Sequence, residues 1–307
     1  MIISASRRTD LPAWYSAWFM NRVRSGWCLA ANPFNPKQVT RISLQPDEVD
    51  VFVFWTRNPR PMLPGLAELD ERGYRYYFLF TVTPYAQDLE PHLPPLEERL
   101  AAFVQLSDRL GPERVIWRYD PIIISNVTDH DFHRRSFERL SGALRASTRR
   151  VIISLVHYYA KTIRNLRPLE GQGFQFDLEA ADRPATLALL RDLADMARAR
   201  GLEIYTCAEK KDYTELGLKP GRCLDGDLIE KLWGLGRVRP KDPGQRETCG
   251  CAASKDIGAT DTCLHGCRYC YATVSFEAAR RRQAGHDPAS PILIGQPEVG
   301  QPTPPAG

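Results

Sequence analysis

No run of about 18 apolar residues occurs in this chain, so the sequence offers nothing of the length that a membrane-spanning helix needs. The opening MIISASRRTD lacks the charged-then-apolar order of a secretory signal, because Arg7 and Arg8 arrive too early. The expectation is a cytoplasmic protein with no membrane partner. An excess of one charge is missing as well: 41 Lys and Arg stand against 37 Asp and Glu, a formal net charge of +4. That balance suits an anionic substrate but is far from the basic footprint of a dedicated nucleic-acid binder. No G-x-G-x-x-G follows the first apolar run, and P-loop and serine-hydrolase signatures are absent. Cysteine is scarce over the first 200 residues, where Cys28 in GWCLAANPF stands alone and reads as a small buried hydrophobe.

What is present is an ordinary globular composition, 43% hydrophobic and 25% charged, arranged with a clear rhythm. Strands are expected at 1–6, 49–56, 74–83, 114–121, 150–158 and 202–209, all rich in Val, Ile, Phe and Tyr. Helices are expected at 12–25, 61–72, 95–110, 130–146 and 184–200. The last is the clearest, with Leu187, Leu190, Leu193 and Met196 on one stripe and Gly201 at its end. Six strand–helix alternations imply parallel strands with helical crossovers. An open doubly wound sheet and a barrel both fit. The missing phosphate loop and the polar residues at the strand ends favour an α/β fold built as a partial (β/α)6 TIM-like barrel over residues 1–210. Residues 211–283 form a cysteine-rich segment expected to pack on the barrel mouth, with a short helix near 225–235. Residues 284–307, with six prolines, are expected to be a disordered tail.

Seven of the eight cysteines follow residue 200. In a reducing compartment such density reads as metal ligation rather than disulfides. The segment TCLHGCRYCYA carries C-x3-C-x2-C at Cys263, Cys267 and Cys270. Three thiolates on one loop can hold three irons of a [4Fe–4S] cube and leave the fourth iron open. The alternative is a zinc knuckle completed by His265 or Cys251. Cys207, Cys223, Cys249 and Cys251 make a further set of four, the usual complement for a second, fully protein-ligated cluster or for a structural zinc.

With Tyr269 just before its last cysteine, the C-x3-C-x2-C run resembles the cluster motif of the radical S-adenosylmethionine superfamily, and its CRYCY ending is similar to spore-photoproduct-lyase-type members. The resemblance implies that Cys263, Cys267 and Cys270 ligate a [4Fe–4S] cluster, that Tyr269 packs beside the cofactor, and that the open iron chelates S-adenosylmethionine for reductive cleavage to a 5′-deoxyadenosyl radical. It also implies a partial (β/α)6 barrel, although here the motif follows the sixth strand rather than the first. The chain as a whole resembles the DUF1848 family, through SASRRTDLPAWYSAWFMNR, NPFNPKQVTRISL, VFWTRNP, RYDPI, TCAE and CGCAASKDIGATDTCLHGCRYCYA. That family is regarded as radical-SAM-like.

Polar residues at the strand ends are the substrate-site candidates. In RVIWRYDP, Arg118 and Asp120 share one strand face, where Arg118 suits a carboxylate or phosphate and an internal Arg118–Asp120 ion pair is an equal reading. His157 follows Val151, Ile153 and Leu155 in alternation, and Glu209 shares a face with Cys207. A core histidine and a salt-bridged glutamate are their plain alternatives. Arg8, after strand one, and Arg57, in FWTRNP, are candidates for cofactor binding. Three functions remain open: a radical enzyme acting on an unknown substrate, with nucleic acid one class; an Fe–S electron-transfer or sensor protein; or a zinc-stapled binding protein. A flavodoxin- or ferredoxin-type reductant is the partner implied by the first.

Overall fold

The computed structural model describes residues 1–236 and 239–295. The strands are β1 (Ile2–Ala5), β2 (Trp27–Asn32), β3 (Asn35–Ser43), β4 (Val51–Thr56), β5 (Tyr76–Thr81), β6 (Val115–Ile122), β7 (Arg150–Leu155), β8 (Glu203–Cys207), β9 (Lys219–Gly221) and β10 (Lys255–Asp256). The helices are α1 (Leu11–Trp14), α2 (Ser16–Ser25), α3 (Leu66–Glu71), α4 (Leu96–Leu110), α5 (His130–Leu144), α6 (Ala160–Glu170), α7 (Pro184–Ala199), α8 (Gly226–Trp233) and α9 (Phe276–Ala284). The fold is mixed α/β, with a large parallel sheet of eight strands in the order β10-β1-β4-β5-β6-β7-β8-β9. β2 and β3 form a separate antiparallel ribbon.

All six expected strands form, five of them shortened at their ends and the one expected at 114–121 shifted by one residue. The two most apolar, VFVFWT of β4 and YYFLFT of β5, are buried at every position, as strands covered on both faces must be. The helix expected at 12–25 is broken into α1 and α2 at Tyr15, and the one expected at 61–72 begins as a tight turn at Arg60–Gly65 with Pro64 inside it. In α7 the buried stripe is Thr186, Leu189, Leu190, Leu193, Ala194 and Ala197. It is rotated from the leucine stripe, leaving Leu187 and Met196 at its margin.

The chain divides into two compact units. The first comprises Met1–Phe78, Ser254–Gly266 and the chain from Ala272 onward; the second comprises Leu79–Ala253 and Cys267–Tyr271. The segment 211–283 therefore contributes to both. An aromatic core fills the first unit: Phe19 meets Phe52 and Phe54 edge-on at 5.1 and 5.2 Å, and Phe54 stacks on Phe78 at 4.7 Å. In the second, Trp117 stacks on Phe137 at 5.1 Å and Phe80 on Phe103 at 5.1 Å.

The beginning of the expected disordered tail is instead bound to the first unit. Trp18 Nε1 donates to Ser290 O at 2.9 Å, Asn21 Nδ2 to Pro288 O at 3.0 Å, an Arg22 guanidinium nitrogen to Ala289 O at 2.9 Å, and Leu29 N to Pro291 O at 2.8 Å. Proline removes donors, not acceptors, so a proline-rich strap can still be held through its carbonyls. Ile292 and Leu293 are buried behind it. Residues 296–307, the remainder of that expectation, lie outside the described residues. No helix among the described residues is long and apolar enough to cross a membrane.

Candidate metal centre

In the second unit, β6, β7 and β8 run parallel in register, Arg118 opposite Ile152 and Ile152 opposite Tyr205. Their carboxyl ends bring four thiols into a chain of contacts. Cys207, the last residue of β8, lies with its Sγ 3.5 Å from Cys223 Sγ. Cys223 N and Leu224 N both point at Cys251 Sγ, at 3.2 and 3.5 Å, and Cys251 in turn shares a hydrogen bond with Cys249. Two backbone N–H groups converging on one sulfur stabilise thiolate. Hydrogen bonding from Cys223 pulls Cys207 down to about 6, with Arg118 adding to the effect against burial. Cys251 is held low chiefly by hydrogen bonds from Cys223 and Cys249, while Cys223 and Cys249 are pushed up by those same bonds. Cys207 and Cys251 are thus favoured as thiolates over Cys223 and Cys249.

Among the described residues, no group of three or more His, Cys, Asp or Glu stands ready-made to hold a metal ion. The donor chemistry nevertheless fits one. Zn–S bonds of about 2.3 Å in a tetrahedron place sulfurs about 3.8 Å apart, close to the Cys207–Cys223 separation of 3.5 Å.

Gly221 makes this juxtaposition possible. A Cβ there would stand 2.4 Å from Thr206 O and 2.9 Å from Tyr205 Cβ, so only glycine lets β9 lie against β8 and deliver Cys223 beside Cys207. Gly221→Ala should push β9 off its neighbour, at about 1–3 kcal/mol. Thermal unfolding together with metal content tests this; full metal occupancy in a stable variant would refute it. Ala208, just past Cys207, adds local strain at φ +53°.

Arg118 reaches the same place. It pairs with Asp120, which also accepts from Ser154 Oγ, and another of its nitrogens lies 3.5 Å from Cys223 Sγ. The ion-pair reading of Arg118 and Asp120 is therefore the one seen, and the same guanidinium also faces a thiol. Arg118 Nε is buried without a hydrogen-bond partner. Glu209 accepts from Leu155 N at 2.9 Å rather than from a lysine, and burial raises its pKa. His157 is half-buried with Nε2 unpartnered, and burial, then Arg246 and Lys210, keep it below the ordinary imidazole value.

The C-x2-C hook is built in the second unit on a turn in which Cys270 N donates to Cys267 O at 3.0 Å. Arg268 N donates to Leu89 O at 2.9 Å, and Tyr269 OH bonds to Glu90. Glu90 is 2% exposed and also receives Thr83 Oγ1 at 2.5 Å and the Arg99 guanidinium at 3.4 Å. Cys267 and Tyr269 are buried in an apolar cluster with Tyr85, Leu89, Ile123 and Leu166, against which Tyr158 and Cys270 pack. Nothing in the local sequence announces Glu90 and Arg99, which lie 179 and 170 residues before Tyr269.

In the first unit, Arg8 faces Asp256 at 3.8 Å, and Asp256 also accepts from Ser4 Oγ, Ser6 Oγ and Arg7 N. Asp10 caps α1 through Ala13 N at 3.0 Å, receives Arg57 N at 2.7 Å and contacts His265 Nε2 at 2.8 Å. Cys263 belongs to this unit, and its neighbour Thr262 accepts from Tyr15 OH at 2.7 Å. Burial first, then Cys263, raises the Tyr15 pKa.

With these features in place, the comparison with known proteins is short. A family model described as Domain of unknown function (DUF1848) matches residues 2–272. The chain belongs to the DUF1848 family. No curated protein and no solved structure matches it. The match to DUF1848 spans every cysteine and every site residue described above.

Proposed function

We propose that this chain is an iron–sulfur protein in which Cys263, Cys267 and Cys270 hold a [4Fe–4S] cluster, and that it is a radical S-adenosylmethionine-type enzyme on a partial (β/α)6 barrel. The observation that carries this reading is the hook Cys267–Cys270. Its turn is closed by its own backbone and tied to Leu89 and to buried Glu90, which supports a backbone held ready to present two thiolates. When bound, such a cluster supplies the electron that cleaves S-adenosylmethionine. The chain's own part is to bind and enclose. We assign to Arg118, oriented by Asp120 and Ser154, and to His157, whose buried Nε2 has no hydrogen-bond partner, the task of holding a polar or anionic substrate group. The apolar cluster around Tyr85 and Ile123 keeps water from the hook. Arg8 and Arg57 are proposed to reach the cofactor. The substrate class extends to nucleic acid, and a flavodoxin- or ferredoxin-type protein is the proposed reductant.

Cys207, Cys223, Cys249 and Cys251 form a second metal site in this reading. A second cluster is one occupant. The 3.5 Å Cys207–Cys223 separation favours the other, a single tetrahedral zinc, because cluster-bound cysteines are spread over a larger cube. The test is anaerobic purification and reconstitution, with iron, sulfide and zinc counted and 5′-deoxyadenosine assayed after reduction with S-adenosylmethionine. About four irons with one zinc supports the zinc form, and about eight irons supports two clusters. A reducible cluster that yields no 5′-deoxyadenosine, and whose spectrum ignores the cofactor, leaves the Fe–S electron-transfer or sensor function instead. A colourless protein carrying zinc alone would leave a zinc-stapled binding protein.

A further inference from the structure

In the second unit, Cys207 Sγ and Cys223 Sγ lie 3.5 Å apart, and their surroundings set the two thiols different tasks. Cys207 is partly exposed at the carboxyl end of β8, whereas Cys223, Cys249 and Cys251 are buried. A small oxidant arriving from solvent therefore meets Cys207 first. One guanidinium serves both sulfurs: an Arg118 nitrogen is 3.5 Å from Cys223 Sγ, and its charge acts on Cys207 as well. A fixed cation beside a sulfur favours thiolate, the form that attacks an oxidant. Cys251 Sγ faces inward instead, taking Cys223 N and Leu224 N at 3.2 and 3.5 Å. The backbone itself brings the reactive pair together. Cys207 stands opposite Gly221 where β9 lies along β8, and Cys223 follows two residues later. A disulfide bond is about 2.05 Å long, so the sulfurs need close only about 1.5 Å of their 3.5 Å separation.

We propose that Cys207 is a hydroperoxide-reactive thiol with Cys223 as its resolving partner, and that their disulfide expels the ion held by the four-thiol site. The expulsion rests on the second metal site proposed above; the disulfide rests on the thiol geometry alone. The Cys207 sulfur attacks one peroxide oxygen, the O–O bond breaks and hydroxide leaves, which puts a sulfenic acid on Cys207. The Cys223 sulfur then attacks the Cys207 sulfur, the S–S bond forms and the S–O bond breaks. The second hydroxide takes up a proton, from the Cys223 thiol in the metal-free chain and from solvent in the loaded one. Two electrons pass from the two sulfurs to the peroxide. Only Cys249 and Cys251 then remain as thiolates of the set, too few for a tetrahedral ion. Arg118 loses both sulfur neighbours as anions in the same step, so the oxidation changes the charge around the arginine proposed to hold substrate.

The test uses the full chain, purified anaerobically with zinc and before any cluster is rebuilt. One equivalent of hydrogen peroxide is added, released zinc is followed with a chromogenic chelator, and disulfides are mapped by mass spectrometry after thiol alkylation. Expected is a Cys207–Cys223 bridge, seen as the loss of two hydrogens, with release of the bound zinc in step with it. Cys223→Ser, already empty of metal, should stop at a sulfenic acid that dimedone labels on Cys207. Arg118→Gln should slow the bridge several-fold at unchanged zinc content, and Arg118→Lys should restore the rate. Cys207 left as thiol, or joined to another cysteine, overturns the inference, as does zinc that stays bound after the bridge forms. A chain that carries no zinc but still bridges Cys207 to Cys223 overturns the metal-site reading instead and leaves the reactive pair standing.

Discussion

Cys223→Ser should empty the four-thiolate site and leave the C-x3-C-x2-C triad loaded. Cys223 is the middle of the chain of contacts: its Sγ meets Cys207, its backbone N–H reaches Cys251, and the Arg118 guanidinium approaches it from β6. A serine oxygen is a poor soft-metal ligand, and three remaining thiolates bind a tetrahedral ion far more weakly than four. Metal analysis against the native protein should show loss of about one zinc, or of about four irons if the occupant is a cluster. Iron at the triad should remain. Cys28→Ala is the matched control, because Cys28 is fully buried, far along the sequence from the others, and raised to about 12 by burial, the signature of an inert thiol. Unchanged metal content in Cys223→Ser would remove the second site from the proposal altogether.

That site shows where sequence reasoning reaches and where it stops. Soft ligands gathered after residue 200 raise the expectation of metal chemistry, because reduced thiols have few other reasons to concentrate. The six strands were legible for a similar reason, since continuous apolar runs such as VFVFWT leave no wet face. What composition could not disclose is approach. Cys207 and Cys223 are separated by 16 residues, and their contact depends on a three-residue edge strand, β9, whose KPG sequence has no strand propensity and exists only because Gly221 offers no Cβ. The β2–β3 ribbon was missed because its exposed positions carry no alternation, and α6 because Pro168 sits within it. The Asp10–His265 contact joins residues 255 apart, and the hook's anchor joins Tyr269 to a glutamate 179 residues earlier. Pairings of that separation leave no local periodicity in a single sequence.

Glu90→Leu is the other substitution with a large expected effect, and it acts on the fold of the hook rather than on any ligand. Glu90 is 2% exposed and gathers three donors, Thr83 Oγ1, Tyr269 OH and Arg99, itself only 4% exposed. Removing the carboxylate takes the counter-ion from a buried guanidinium, which also donates to the Pro94 carbonyl at 3.1 Å, and takes an acceptor from two buried hydroxyls. A buried ion pair broken from one side costs about 3–5 kcal/mol. Glu90→Gln keeps an acceptor for the hydroxyls and should lose less. In Glu90→Leu with Arg99→Met neither charge remains, so most of the stability should return. Tyr269 would still have lost its tether in the double variant, and that separates the two roles of the carboxylate. Thermal unfolding should recover in the double variant while iron remains quick to leave to a chelator, because the turn between Cys267 and Cys270 has then lost the tie from Tyr269 to Glu90 that supplements its backbone bonds. A loss below about 1 kcal/mol in Glu90→Leu would show that the pair is solvated in solution and that the hook does not depend on it.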